Sequence, residues 1–131
     1  MQLSNILRTV LRIDATSCLA MAALVIPTVG MIEGPLGIDR AVLTAAGISL
    51  LPIGLFILWL GSRREAWPGL VYLVVAGNIG WALSSFALTL STPGITAIGT
   101  LAVVGQGAFV LLLALIEWRL VRAEARCAAA S

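Results

Sequence analysis

The chain has 131 residues, eight of them Arg with no Lys and no His, against six acids, for a net charge of +2. Hydrophobic residues make up 60 % of it and the mean hydropathy is +1.08, which excludes a soluble domain with an ordinary charged surface and gives specific nucleic-acid binding no support. Without His there is no imidazole ligand or general base, and Cys18 and Cys127 are too few for a cluster and lie too far apart for a redox pair, so no metal or other cofactor is expected.

Four uncharged apolar runs follow in order, at 15–32, 41–60, 70–90 and 95–116. A helix rises about 1.5 Å per residue and a bilayer core is roughly 30 Å thick, so each run is long enough, or nearly so, to cross. Open sheets would leave backbone groups unsatisfied in lipid, and the short alternating segments of a barrel are missing. Before the first run stand Arg8 and Arg12, and Asp14 is read as opening its helix, where the helix dipole favours a carboxylate. Asp39 is placed to cap the second helix, Pro68 to begin the third, and Ser91, Thr92, Pro93 and Gly94 form a tight turn before the fourth. No small-residue cleavage site closes the first run, which is therefore read as a span rather than a leader. The expectation is one transmembrane domain over 1–131, with spans at about 13–32, 41–60, 68–90 and 95–118.

The Arg residues orient these spans. Arg8, Arg12, Arg63, Arg64, Arg119, Arg122 and Arg126 fall on one side and only Arg40 on the other. Short Arg-rich loops stay cytoplasmic. The fold class is therefore an all-α integral membrane four-helix bundle, up-down-up-down, with both termini cytoplasmic in a bacterial inner membrane. Trp59, Trp67 and Trp118 fall at the inner boundary, as an interfacial aromatic belt does.

Polar residues inside the spans are few. Counted from the inner helix ends, Ser49, Asn78 and Gln106 lie at similar depth, roughly 12–16 Å in, and Trp81 is one turn from Asn78 on the same face. They form an expected polar layer in which Asn78 pairs with Gln106, since a buried amide needs a partner. Ala76, Gly80 and Ser84 are read as a small-residue seam packing helix three on helix four. Gly99, Gln106 and Glu117 share one face of helix four, which should look into the bundle. At the inner boundary Arg12, Asp14, Arg63 and Glu117 form an expected charge cluster, read either as an ion-paired collar with Arg12 or Arg63 neutralising Glu117, or as a proton or cation entry site with Asp14 and Glu117 as titrating groups.

The motif order, with Asp14 near the start, Asn78-x-x-Trp81 in helix three, and Gln106 and Glu117 in helix four, resembles a family of small uncharacterised bacterial four-helix integral membrane proteins. The resemblance covers most of the chain and implies fold and topology, but no activity. Small multidrug exporters have a similar length and span count, but carry a membrane-embedded Glu in helix one; thiol-oxidising four-helix enzymes need cysteine pairs absent here. The leading expectation is a non-enzymatic accessory or self-associating membrane module. The alternative is a small transporter or ligand-binding membrane protein acting as a homo-oligomer, motivated by the layer of Ser49, Asn78, Gln106 and Trp81 with Asp14 and Glu117 below it, and a third reading is a lipid or quinone pocket between helices two and three walled by Trp81 and Phe86. Its partners are then the lipid bilayer together with a membrane-protein partner or further copies of the chain.

Overall fold

The computed structural model describes residues 1–130, which form four long helices and one isolated antiparallel bridge. The helices are α1 (Asn5–Leu36), α2 (Arg40–Ser62), α3 (Pro68–Ser91) and α4 (Ala97–Ala130). All four are long and apolar enough to cross a membrane. Large apolar side chains point outward along them, including Met31, Leu90 and Leu101. Such a surface belongs to a multi-pass membrane protein, because water would not tolerate it.

Local chemistry sets the helix ends. The Ser4 hydroxyl accepts from the Leu7 N–H at 3.1 Å, Asp39 accepts from the Ala41 N–H at 3.3 Å, and Pro68 stands in the first turn of α3. Gly37 ends α1 in the left-handed conformation at φ 68°. Two helices run past the expected membrane spans: α1 starts at Asn5 and α4 continues to Ala130. The charges at both ends lie on exposed or half-buried faces of continuous helices, while Leu7, Leu11 and Val121 carry the buried stripe past them. A charge on the outer face of a helix does not end it.

The bundle is built from two hairpins. In the first, Gly47, Gly54 and Gly61 recur every seven residues on α2 and lie against Ile26, Leu19 and Leu11 of α1. A Cβ on Gly54 would stand 2.8 Å from the Leu19 side chain, so the absence of a side chain sets how closely these helices approach. In the second hairpin, Gly107 of α4 receives Phe86 and Ser85 of α3. The hairpins meet along α1 and α4, whereas α2 and α3 scarcely touch. At one end the Thr96 N–H donates to Leu36 O at 3.1 Å and Gly99 packs on the same carbonyl. At the other, the Leu3 N–H donates to Arg64 O at 2.8 Å and the Ser4 N–H to Glu124 Oε1 at 2.6 Å, closing the Arg-rich end.

The seam expected from Ala76, Gly80 and Ser84 is not the α3–α4 contact. All three are exposed, and a Cβ on Gly80 would meet nothing within 4 Å. The opposite face of α3, with Val71, Val74, Val75, Asn78, Ala82 and Ser85, is the buried one.

Candidate functional site

The centre of the bundle holds two carboxyls. Asp14 and Glu117 are both fully buried, and Asn78 is nearly so. Asn78 reaches between them from α3: its Nδ2 donates to Asp14 Oδ2 at 2.6 Å and to Glu117 Oε2 at 3.3 Å. One turn along α1, the Cys18 thiol donates to Asp14 Oδ1 at 3.8 Å. Glu117 Oε1 is buried and accepts from nothing among the described residues. Thus α1 contributes Asp14 and Cys18, α3 Asn78 and α4 Glu117 to a polar core among buried apolar side chains such as Leu11, Ala15 and Ala114.

The electrostatics of this core are unusual. Two full charges at most about 6 Å apart, the widest spacing those two bonds allow, repel by ~3 kcal/mol at an effective dielectric constant of about 20. No Arg hydrogen-bonds to either carboxyl among the described residues. Arg12 and Arg63 are exposed, and the Arg63 guanidinium stacks 5.6 Å from the Trp59 ring instead. The expected ion-paired cluster of Arg12, Asp14, Arg63 and Glu117 is therefore not formed. Asp14 does not open a helix either: it is the tenth residue of α1, about 13 Å from its start. Nor does Glu117 lie at a helix end, since α4 runs on to Ala130.

A second polar group adjoins the first. The Trp81 indole N–H donates to Gln106 Oε1 at 3.0 Å, and Gln106 Nε2 donates to the Ser85 hydroxyl at 2.7 Å and to Val103 O at 3.0 Å. The expected Asn78–Gln106 pair is thus replaced by two separate sets, Asn78 with the carboxyls and Gln106 with Trp81 and Ser85. Ser49 joins neither. Its hydroxyl donates back to Ala45 O at 2.7 Å on the exposed side of α2, where it lines a second cavity of about 410 Å³. The face of α4 with Gly99, Gln106 and Glu117 does turn inward: Gly99 and Glu117 are buried and Gln106 half-buried.

Where α2 and α3 part, a groove of about 390 Å³ opens. Pro52, Ile53 and Phe56 of α2 form one wall and Leu73, Val74 and Gly77 of α3 the other. Its floor brings together Cys18, Asn78, Trp81 and Gln106. Trp81 walls the groove as expected, but Phe86 does not, being turned onto Gly107. Asn78 and Cys18 each face the groove and also touch the carboxyl core. The groove is therefore one side chain away from the buried acids.

Sequence reasoning placed Asp14 and Glu117 at one level but missed that Asn78 bridges them, and it missed the place of Cys18 beside Asp14 and of Ser85 beside Gln106. Only the lack of a fixed Arg neighbour on the inward face of Glu117 hinted that another group must answer it. No group of three or more His, Cys, Asp or Glu among the described residues is arranged to hold a metal ion. Both cysteines are free. Comparison with protein-family models, with curated proteins and with solved structures finds no match for this chain.

Proposed function

We propose that the protein is a non-enzymatic binding protein of a bacterial inner membrane that takes a bilayer-soluble apolar molecule into the groove between α2 and α3. The observation that carries this reading is the groove itself, of about 390 Å³, with apolar walls and a small polar floor. Sites for small molecules share that character, at roughly 300–1,000 Å³ with a few placed polar groups. Its rim residues Ile53, Leu73 and Phe109 are exposed on the surface that faces lipid, so entry is lateral, from the acyl-chain region.

The floor narrows the ligand class. The Trp81 N–H and the Gln106 amide are engaged with each other and with Ser85 and Val103. The Asn78 side-chain oxygen accepts no hydrogen bond from the described residues. The chemistry that fits is an acyl- or isoprenoid-type body with one hydrogen-bond donor, such as a hydroxyl. The Arg distribution supports the orientation, with seven of eight Arg at the end that also holds both termini, the cytoplasmic end by the positive-inside rule.

Trp81 offers a direct test. With Trp59, Trp67 and Trp118 each changed to Phe, a brominated fatty alcohol added to the reconstituted chain should quench Trp81 saturably. Gly77→Phe should abolish the saturable part, because Gly77 lines the groove and a Cβ there meets nothing within 4 Å. Quenching that never saturates, or that Gly77→Phe leaves unchanged, would sink the reading.

A second reading, self-association, is favoured by the outward stripe of Ala76, Gly80 and Ser84 on α3. Small residues let helices approach closely in lipid, where packing drives association. The two readings are compatible, since this stripe is a different part of α3 from the buried face that carries Asn78.

A further inference from the structure

The carboxyl core asks for a positive charge that no side chain supplies. We propose that Asp14, Asn78 and Glu117 form an intramembrane proton site, in which the carboxyl pair holds one exchangeable proton at neutral pH and Asn78 links its occupancy to the groove. The first support is the geometry of two fully buried carboxyls bridged by one amide nitrogen. Carboxyls placed so close in a dry site do not both ionise, and share a proton instead. The second support is Glu117 Oε1, buried and receiving no donor from the described residues. An ionised oxygen left so is costly, whereas a protonated one has a hydrogen to offer.

The donor count says which carboxyl carries the proton. Asp14 receives the short bond from Asn78 and the thiol of Cys18, one on each oxygen. Glu117 receives only the longer bond from Asn78. The donors therefore serve Asp14 better than Glu117, which leaves Glu117 as the place for the shared proton. The surrounding elements add nothing that would neutralise the pair. On α1 the other titratable group facing it is Cys18, and Arg12 is exposed. The stretch 41–62 of α2 has no titratable residue. On α3 the one titratable group is Tyr72, exposed, and on α4 the nearest charge, Arg119, is exposed as well. Ionisable groups inside a bundle with no fixed counter-charge mark proton and ion pathways in membrane proteins.

Asn78 gives the site a reader. It touches both carboxyls and also lines the groove. A ligand that turns the Asn78 amide toward itself withdraws a donor from the carboxyls and so favours their proton, and loss of the proton holds Asn78 on the carboxyls in turn. This linkage rests on the groove being a ligand site; the proton does not.

Infrared difference spectroscopy on the full chain in lipid nanodiscs tests both parts. At neutral pH a protonated-carboxyl C=O band should be present, shift in D₂O and vanish reversibly as the pH is raised. It should be absent in Glu117→Gln and displaced but retained in Asp14→Asn. No such band in the wild type, or an identical band in Glu117→Gln, would overturn the proton site. Should Glu117→Gln fail to fold, the wild-type band and the Asp14→Asn displacement still decide. Adding the brominated fatty alcohol should displace the band. An unmoved band alongside saturable Trp81 quenching would overturn the linkage while leaving the groove reading intact, and a band without saturable quenching would overturn the groove reading and the linkage with it while leaving the proton site intact.

Discussion

Replacing Asn78 by Leu keeps nearly the same volume but removes the one nitrogen that serves both buried carboxyls. Asp14 Oδ2 and Glu117 Oε2 then join Glu117 Oε1 as buried oxygens without a donor from this side chain. A hydrogen bond to a charged group contributes ~1.5–3 kcal/mol, and stripping one member from a buried charged set costs ~3–5 kcal/mol. Polar contacts in membrane proteins run lower, averaging ~0.6 kcal/mol, because the unfolded chain in lipid finds other partners. Asn78 makes two bonds in a site closed to water, so a loss of ~3 kcal/mol is expected, on the order of a hundredfold in the folded-to-unfolded ratio. The assay is reversible unfolding in mixed micelles against the mole fraction of a denaturing detergent, followed by circular dichroism. In an Asp14→Asn background the same substitution should cost ~1–1.5 kcal/mol less, since the acceptor of its shorter bond is no longer a carboxyl. A cost below ~0.5 kcal/mol, or the same cost in both backgrounds, would refute the bridge.

Three further outcomes follow from the packing. Gln106→Ala should cost ~1 kcal/mol, through the stranded Trp81 N–H, and should add to Asn78→Leu within ~0.5 kcal/mol in the same unfolding assay, because the two amides share no partner. Gly99→Ala should destabilise by ~3 kcal/mol, since its Cβ would run into the Leu36 carbonyl oxygen, whereas Gly105→Ala, with open space around it, should be neutral or gain up to ~1 kcal/mol from helix propensity. Gly80→Ile should leave the unfolding midpoint of the single chain unchanged and, if α3 is an association face, shift the mass measured by light scattering toward the monomer; a fully monomeric wild type would remove that reading.

The parts of this architecture that were legible in the sequence are those that follow from local chemistry. Run length and the charge-free spans announce four helices, Asp39 and Pro68 mark two starts, and the eleven-residue spacing of Gln106 and Glu117 sets them on one inward face. What was not legible is register. Depth counted from assumed helix ends put Asn78 opposite Gln106, but it meets Glu117, about three turns farther along α4. The error began at the charges. Arg8 and Arg12 made Asp14 look like a cap at the boundary, although Leu7, Leu11 and Ala15 already showed that one apolar stripe passes through it. The seven-residue repeat of Gly47, Gly54 and Gly61 was written in the chain as the α1–α2 contact, while the more familiar pattern of Ala76, Gly80 and Ser84 drew attention to a face that turned out to be open. A small-residue pattern marks a face that allows close approach, and not which helix makes it.

Native mass spectrometry of the full chain, extracted gently from its own membrane at native expression, tests the central claim most directly when the wild type is run beside Gly77→Phe. The groove reading predicts a retained apolar small molecule on the wild type that is lost from Gly77→Phe at unchanged fold and assembly. A bare wild-type chain, an identical adduct on both proteins, or a wild type held only in stoichiometric complex with foreign subunits would contradict it.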